Sequence, residues 1–169
     1  TEQILHPEKY PNDEPHSVIL PEFATLLDPA WHEIDDSVLG EWYTFLVLAY
    51  GAEEKARLPL AEARLAAAGW KGDRYVVYQK DSTDTSVLVL NSLWDTEQDA
   101  REFTDAFSRY GKVRWGNVEE GSNGQMFWQS DSDGVVVFLR QGSETLWVIA
   151  PETEIVKLII QEAGFLLED

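Results

Sequence analysis

The sequence predicts an α+β fold: an antiparallel sheet of about five strands, in the order β-β-α-β-β-β-α, with helices packed on one face. A core can form, since 44% of the residues are hydrophobic and 12% are aromatic. From Arg74 onward the apolar pattern changes from a helical period to that of strands. Turn sequences such as "DSDG" and "QGSE" separate the later strands. Hairpins of this kind produce antiparallel pairing.

Residues 1–36 are predicted to form an extended Pro-rich arm, and residues 37–169 a single α+β domain. Five of the seven prolines lie in residues 1–30. Proline breaks helices and removes a backbone donor from a sheet, so neither element is expected there. Apolar residues are interspersed in the arm. We therefore expect it to pack against a protein partner or an upstream domain of the same protein.

Two helices are predicted in residues 37–69, ahead of the sheet. An acidic or serine cap at residues 35–37 can begin a helix that runs to about Tyr50. The second helix runs from Pro59 to Ala68, with proline in its first turn and Gly69 just beyond its end. This helical part leads directly into the first predicted strand.

Residues 74–169 are predicted to hold the sheet and two more helices. "RYVVYQK" and "SVLVLNSLW" predict two strands. A helix capped at Thr96 and ended by Gly111 follows, and one face of it carries an apolar stripe for packing on a sheet: Ala100, Phe103, Phe107 and Tyr110. "QMFWQS", "GVVVFLR" and "TLWVIA" predict three further strands, and Pro151 begins the last helix.

The stretch "AAAGWKGDRYVVYQK" is predicted to be a corner between a helix and a strand rather than a binding loop. Gly69 follows an Ala-rich helix, where a left-handed conformation is common. Asp73 can accept hydrogen bonds from turn N–H groups or pair with Arg74.

Charge and composition exclude several classes of function. The formal net charge is −18, which repels nucleic acid and anionic membrane surfaces, since both require a basic surface. No cysteine is present, so disulfides, thiolate nucleophiles and Cys-based zinc sites are excluded. Cations, cationic substrates and a high-salt habitat remain open.

Catalytic motifs are scarce, and no catalytic residue or cofactor is predicted. "HEIDD" begins like a helical H-E-x-x-H zinc motif, but Asp36 stands where the second histidine belongs. The stretch also lies where a helix is expected to begin, which explains its acids as partners of the helix N-terminus. A metal site at His32, Glu33 and Asp36 is the less favoured alternative. A metal-dependent hydrolase would have to use His6, His16 or His32 with nearby acids.

The tryptophans are predicted to be core and sheet-edge residues. The alternative for Trp115 and Trp128 is that they line a ligand-binding groove together.

Four segments resemble a known group of proteins: "TEQILHPEKYPNDEPHSVILP", "LGEW", "AAAGWKGDRYVVY" and "LWDTEQDAREFTDAF". They are similar to the C-terminal half of extracytoplasmic proteins from bacteria and haloarchaea that are labelled lipoproteins or hypothetical proteins. The resemblance covers about residues 1–110. Relatives often carry a zinc-peptidase-like helix with an H-E-x-x-H pattern upstream of the similar region, and no such pattern occurs in this sequence. Relatives also tend to have Gly at the position of Lys71. The resemblance implies a location at the cell surface or in the periplasm rather than a reaction.

The function expected from these observations is that of an exported, non-enzymatic binding or accessory module, part of a larger protein. Two alternatives remain open. One is a metal-dependent, peptidase-like hydrolase. The other is a carrier of a small ligand in an apolar cavity under the sheet.

Overall fold

The computed structural model describes residues 16–81 and 83–167. The first fifteen residues of the predicted arm, including His6, lie outside the described residues. Within the described chain, one sheet packs against four α-helices. In chain order, the strands and helices are β1 Trp31–Ser37, α1 Gly40–Tyr50, α2 Leu60–Ala67, β2 Trp70–Lys80, β3 Ser86–Trp94, α3 Glu97–Arg114, β4 Glu119–Glu120, β5 Met126–Ser130, β6 Gly134–Gln141, β7 Glu144–Ala150 and α4 Thr153–Glu162.

The sheet has seven strands in the order β1-β2-β3-β7-β6-β5-β4, and all neighbours are antiparallel. The α+β class and the antiparallel sheet are confirmed, whereas the prediction of about five strands is wrong. The two additional strands, β1 and β4, form the edges of the sheet. β4 is only two residues long, which is too short to give a periodic signal.

Strand β1 was missed because its sequence, "WHEIDDS", is mostly exposed and charged. Charged side chains are common on edge strands, where they prevent pairing with other molecules. Residues 35–37 pair with β2, so their prediction as the cap of the first helix is wrong. The last residues of the predicted arm thus belong to the sheet.

Helices lie on both faces of the sheet, so the prediction that they pack on one face is wrong. The first core lies under α1, α2 and α3, and the second core lies under α4 and the segment around Phe23. In β6, Val136 and Phe138 point into the first core, while Val135 and Val137 point into the second. A strand that is apolar at successive positions, as "GVVVFLR" is, indicates burial on both faces.

The first core is built around aromatic rings on α3. The predicted stripe is confirmed, since its four residues are all buried. Phe107 is fully buried, with its ring stacked on Phe138 at 4.5 Å between centroids and edge-on to Trp147 at 5.1 Å. Rings in such pairs contribute beyond the area that they bury. The helix α3 is therefore fixed to the sheet mainly by these aromatic contacts.

One buried carboxylate joins the corner between α2 and β2 to the start of α1. Asp73 accepts hydrogen bonds from the backbone N–H groups of Leu39 and Gly40, at 2.7 and 2.8 Å, and from the Trp70 indole N–H at 2.8 Å. Burial raises the pKa of this carboxyl, although the three donors act in the opposite direction. Asp73 therefore caps a distant helix and does not pair with Arg74.

Gly69 turns the chain from α2 into β2, and its predicted left-handed conformation is confirmed by a φ of +81°. A Cβ on Gly69 would lie 2.5 Å from Cγ of Asp99. We expect Gly69→Val to lower the free energy of unfolding in urea by about 1–3 kcal/mol, since backbone strain and a clash add. Gly142→Val is the matched control, because Gly142 has a φ of +61° and open space around it. An equal or smaller loss for Gly69→Val would contradict the clash.

Candidate functional site

An acidic cleft of about 350 Å³ opens on the second-core face of the sheet, between residues 17–22 and strands β1 and β2. One wall is the extended segment of residues 17–22, and the floor is formed by side chains of the two strands: Glu33, Asp36, Arg74, Val76 and Tyr78. The cleft combines charged groups, a phenol and apolar side chains in one small space. The cleft is more polar than most ligand pockets, which are lined mainly by apolar side chains, and its charged groups would decide what it binds.

The wall segment is held at both ends. At its start, the His16 backbone N–H donates to the Lys71 carbonyl at 2.8 Å. A Cβ on Gly72 would overlap the His16 carbonyl oxygen, so only glycine allows this approach. At its end, Phe23 is fully buried in the second core. The segment therefore lies across the sheet as a fixed wall of the cleft.

Arg74 and Asp36 form a bidentate ion pair in the cleft. The Arg74 Nε and Nη2 atoms donate to the two carboxylate oxygens of Asp36 at 2.5 and 2.7 Å. The hydrogen bonds to Asp36 raise the pKa of Arg74 above its ordinary value. The pair neutralises both charges, and the guanidinium is committed to a protein carboxylate.

Glu22 and Glu33 also line the cleft and leave it with a net negative charge. Among the described lining residues Arg74 is the only basic one, and it pairs with Asp36. Glu22 and Glu33 have no ion pair with a described residue. Their charges also act on Tyr78, whose side chain is 1% exposed. Burial, followed by repulsion from Glu22 and Glu33, raises the pKa of Tyr78 to about 12.

The raised pKa of Tyr78 predicts a loss of stability in alkaline solution. A tyrosine in the unfolded chain titrates near pH 10, so between about pH 10 and 12 the unfolded state loses this proton first. The stability from neutral Tyr78 is therefore complete below pH 10 and is lost as the pH rises through about 12. We expect Tyr78→Phe to lose less stability than the native chain between pH 9 and 12 in urea unfolding. Tyr43→Phe, an exposed control, should follow the native curve; identical curves for all three would contradict the assignment.

Two of the three candidate metal ligands lie in the cleft, and the third does not. Glu33 and Asp36 share its floor because the register of β1 shifts between Glu33 and Asp35, which brings residues three apart to one face. His32 lies on the opposite face, where its ring contacts Asp81. The described chain holds no group of three His, Asp or Glu residues that could bind a metal ion. The structure thus brings the two acids together without His32.

Trp115 and Trp128 lie close together, as the predicted groove requires. Their ring centroids are 5.3 Å apart, and both side chains are buried in the first core. They border a groove of about 500 Å³ beside β4 and β5. The Trp115 indole N–H donates to Asp133 at 2.6 Å, so its polar atom is already bonded. The indole rings of Trp115 and Trp128 therefore mainly pack in the first core.

Sequence reasoning missed Glu22, Arg74 and Tyr78 as members of the cleft. The cleft as a whole is built from three separated parts of the chain, which are residues 17–22, β1 and β2, and only pairing of β1 with β2 brings two of these parts together. No local pattern marks such a site. In the described chain, none of the helices has the length and apolar character that crossing a membrane requires.

Comparison with known proteins gives one result. The model of a family described as a domain of unknown function, DUF8575, matches residues 26–159. The match spans all seven strands and includes Glu33, Asp36, Arg74 and Tyr78, while Glu22 precedes it. No curated protein and no solved structure matches the chain significantly. Since the match covers most of the sequence, the chain belongs to the DUF8575 family.

Proposed function

We propose that this domain is a non-enzymatic binding module that holds a protein partner by a basic side chain in the acidic cleft. The observation that carries the proposal is the pair of carboxylates, Glu22 and Glu33, which line the cleft without an ion pair among the described residues. A cationic group placed there would be attracted at short range by the two negative charges. The Arg74–Asp36 pair would stay intact.

The size and lining of the cleft suit the side chain of arginine or lysine. A volume of about 350 Å³ is at the lower end of the range of ligand sites. Val18, Leu20 and Val76 supply apolar surface beside the acids. Arginine and lysine carry an apolar stem and a charged end, and they bury the stem along such surfaces. The formal net charge of −18 would also speed the approach of a basic partner.

The proposal includes a location outside the cytoplasm. It also includes a partner that is either an upstream domain of the same protein or a separate protein. The sequence resemblance supports the location, and the apolar residues of the Pro-rich arm support the partner; both stay predictions.

The proposal is tested with N-acetyl-arginine amide as a probe and N-acetyl-citrulline amide as its neutral analogue. We expect the arginine probe to bind at least about fivefold more tightly than the citrulline probe, because only the charged guanidinium is attracted electrostatically by the carboxylates. Glu33→Gln should weaken binding of the arginine probe by about threefold or more. Glu119→Gln removes the same charge from β4 at the opposite sheet edge, and it should change the affinity by less than about twofold. Affinities are measured by NMR titration.

Two results would overturn the proposal. One is equal binding of the charged and neutral probes. The other is an equal loss of affinity in Glu33→Gln and Glu119→Gln, because a general field effect of the acidic chain would then explain the attraction.

The two alternative functions have less support in the described residues. For a hydrolase, elemental analysis is the test: stoichiometric zinc that is lost in His32→Ala would support it. For a carrier, the space between α3 and the sheet is occupied by aromatic rings, such as Phe107 stacked on Phe138. A ligand retained through gentle purification and found by mass spectrometry would favour the carrier.

A further inference from the structure

Strand β1 is an open edge of the sheet and borders the acidic cleft. It pairs with β2 on one side, and no strand of the described chain pairs with its other side. An edge strand carries a row of backbone N–H and C=O groups without strand partners. Residues 32–36 are all exposed, so this row is open to solvent. The opposite edge strand, β4, is only two residues long and offers no comparable row.

The side chains of β1 that face the cleft are those of Glu33 and Asp36. Asp36 is paired with Arg74, whereas Glu33 has no ion pair with a described residue. Residues directly opposite each other on neighbouring antiparallel strands have Cβ atoms about 4.5–5.5 Å apart. A basic residue opposite Glu33 on an added strand would therefore lie within reach of this carboxylate and of the cleft.

The charges of β1 determine which strand can pair with it. Three of its seven residues are acids, Glu33, Asp35 and Asp36, and it contains no lysine, arginine or proline. A second copy of β1 would place acids opposite acids, which destabilises strand pairing. Residues 1–15 are also unsuited, since Lys9 is their only lysine or arginine and three of them are prolines. A basic strand from another protein is the partner whose charge fits.

The bulge in β1 limits the length over which such a strand can pair. The register with β2 is regular at residues 31–33 and again at residues 35–37, and it shifts between these two parts. A bulge bends the strand and leaves one residue out of the ladder. Each regular part carries one of the cleft acids, Glu33 or Asp36. A short segment of about five residues is therefore long enough to pair with one part and to place a basic side chain at the cleft.

We propose that β1 receives an extended segment of another protein as an eighth strand, with basic side chains at alternate positions on the cleft side. In this mode of recognition, hydrogen bonds between main chains supply affinity, and pockets for alternate side chains supply specificity. The inference rests on the proposed function, because the acidic cleft is the pocket for the basic side chain. It adds the conformation of the partner and the strand to which the partner binds.

The test uses a five-residue peptide, acetylated and amidated, with arginine at the second and fourth positions and threonine elsewhere, since threonine favours strands. Only alternate backbone N–H groups of a strand face the same neighbour. Two analogues are therefore N-methylated, one at both arginines and the other at the third and fifth residues. We expect one analogue to bind at least about fivefold more weakly than the parent peptide, and the other to bind within about twofold of it. Affinities are measured by NMR titration.

Hydrogen exchange shows where the peptide pairs. In the complex with the parent peptide, backbone amides of β1 that exchange rapidly in the free chain should slow by at least about threefold. Amides of β4, at the opposite edge, should be unchanged. A peptide with glutamate in place of both arginines should give neither binding nor protection. Glu33→Gln should weaken the parent peptide by about threefold or more, and the matched control Glu119→Gln by less than about twofold.

Equal affinities of the two methylated analogues, or unchanged exchange in β1, would overturn the inference. If N-acetyl-arginine amide still binds in the cleft, the proposed function stands and only the added strand is wrong. If the arginine amide does not bind, both the proposed function and this inference fail. Protection of β1 in a dimer of the free chain would assign the edge to a second copy and would also contradict the proposal.

Discussion

Replacing Asp73 with alanine is expected to lower the free energy of unfolding by about 3–5 kcal/mol. The carboxylate accepts hydrogen bonds from the N–H groups of Leu39, Gly40 and Trp70, all at 2.8 Å or less. Alanine would leave these three donors without an acceptor in the interior, and each unpaired buried donor costs about 1–3 kcal/mol. Urea unfolding, followed by tryptophan fluorescence, measures the loss.

Two further variants define the cause of that loss. Asp84→Ala changes an exposed aspartate in the turn between β2 and β3, and it should alter stability by no more than about 0.5 kcal/mol. Asp73→Asn keeps one acceptor and should fall between the native chain and Asp73→Ala. A loss below about 1 kcal/mol in Asp73→Ala would show that the corner does not depend on this carboxylate.

Replacing Phe107 with alanine is expected to cost about 3–5 kcal/mol, the usual range for a large aromatic residue in a packed core. Phe107 is fully buried and stacks on Phe138, with Trp115, Trp128 and Trp147 around it. Its removal would leave a cavity that these rigid rings can fill only in part. The same urea measurement applies.

Val113→Ala is the matched control for that prediction, since Val113 lies on the same helix but is exposed. It should change stability by no more than about 0.5 kcal/mol. Phe107→Leu keeps most of the volume and should cost less than alanine. Similar losses for Phe107→Ala and Val113→Ala would contradict the central position assigned to the aromatic rings.

Elements that bury at least one apolar face were predictable from the sequence, and elements that bury almost nothing were missed. Helix α3 carries its apolar stripe, its Thr96 cap is present, and the three hairpin strands β5, β6 and β7 follow as predicted. Strand β1 has a single buried residue, Trp31, so its periodicity is absent. It is stabilised by pairing with β2, which lies about forty residues further along the chain. Non-local pairing of this kind leaves no local signal.

The arrangement of the helices was misjudged for a different reason. The uniform apolar runs "GVVVFLR" and "TLWVIA" indicate burial on both faces of the sheet, while the turns between them indicate an antiparallel sheet. The hairpins led to an expectation of helices on one face. The structure satisfies both signals, with α4 covering the second face.

The candidate site was predictable only in part. Glu33 and Asp36 drew attention as acids next to His32, but the sequence was interpreted as the entry of a helix, with a metal motif as the less favoured alternative. They lie on a strand instead, where the register shift turns both toward the cleft and leaves His32 on the other side. The remaining groups, Glu22 and Tyr78, join the site through tertiary packing alone.

The most direct test of the central claim, that the acidic cleft receives a basic side chain, is an NMR map of where N-acetyl-arginine amide binds. The account predicts saturable shifts of backbone amides that are largest at Val76, Tyr78 and residues 17–22, and that are reduced in Glu33→Gln. Amides of Glu119 and Glu120, at the opposite edge of the sheet, should stay unchanged. Largest shifts away from the cleft, or no saturable shift in it, would contradict the account.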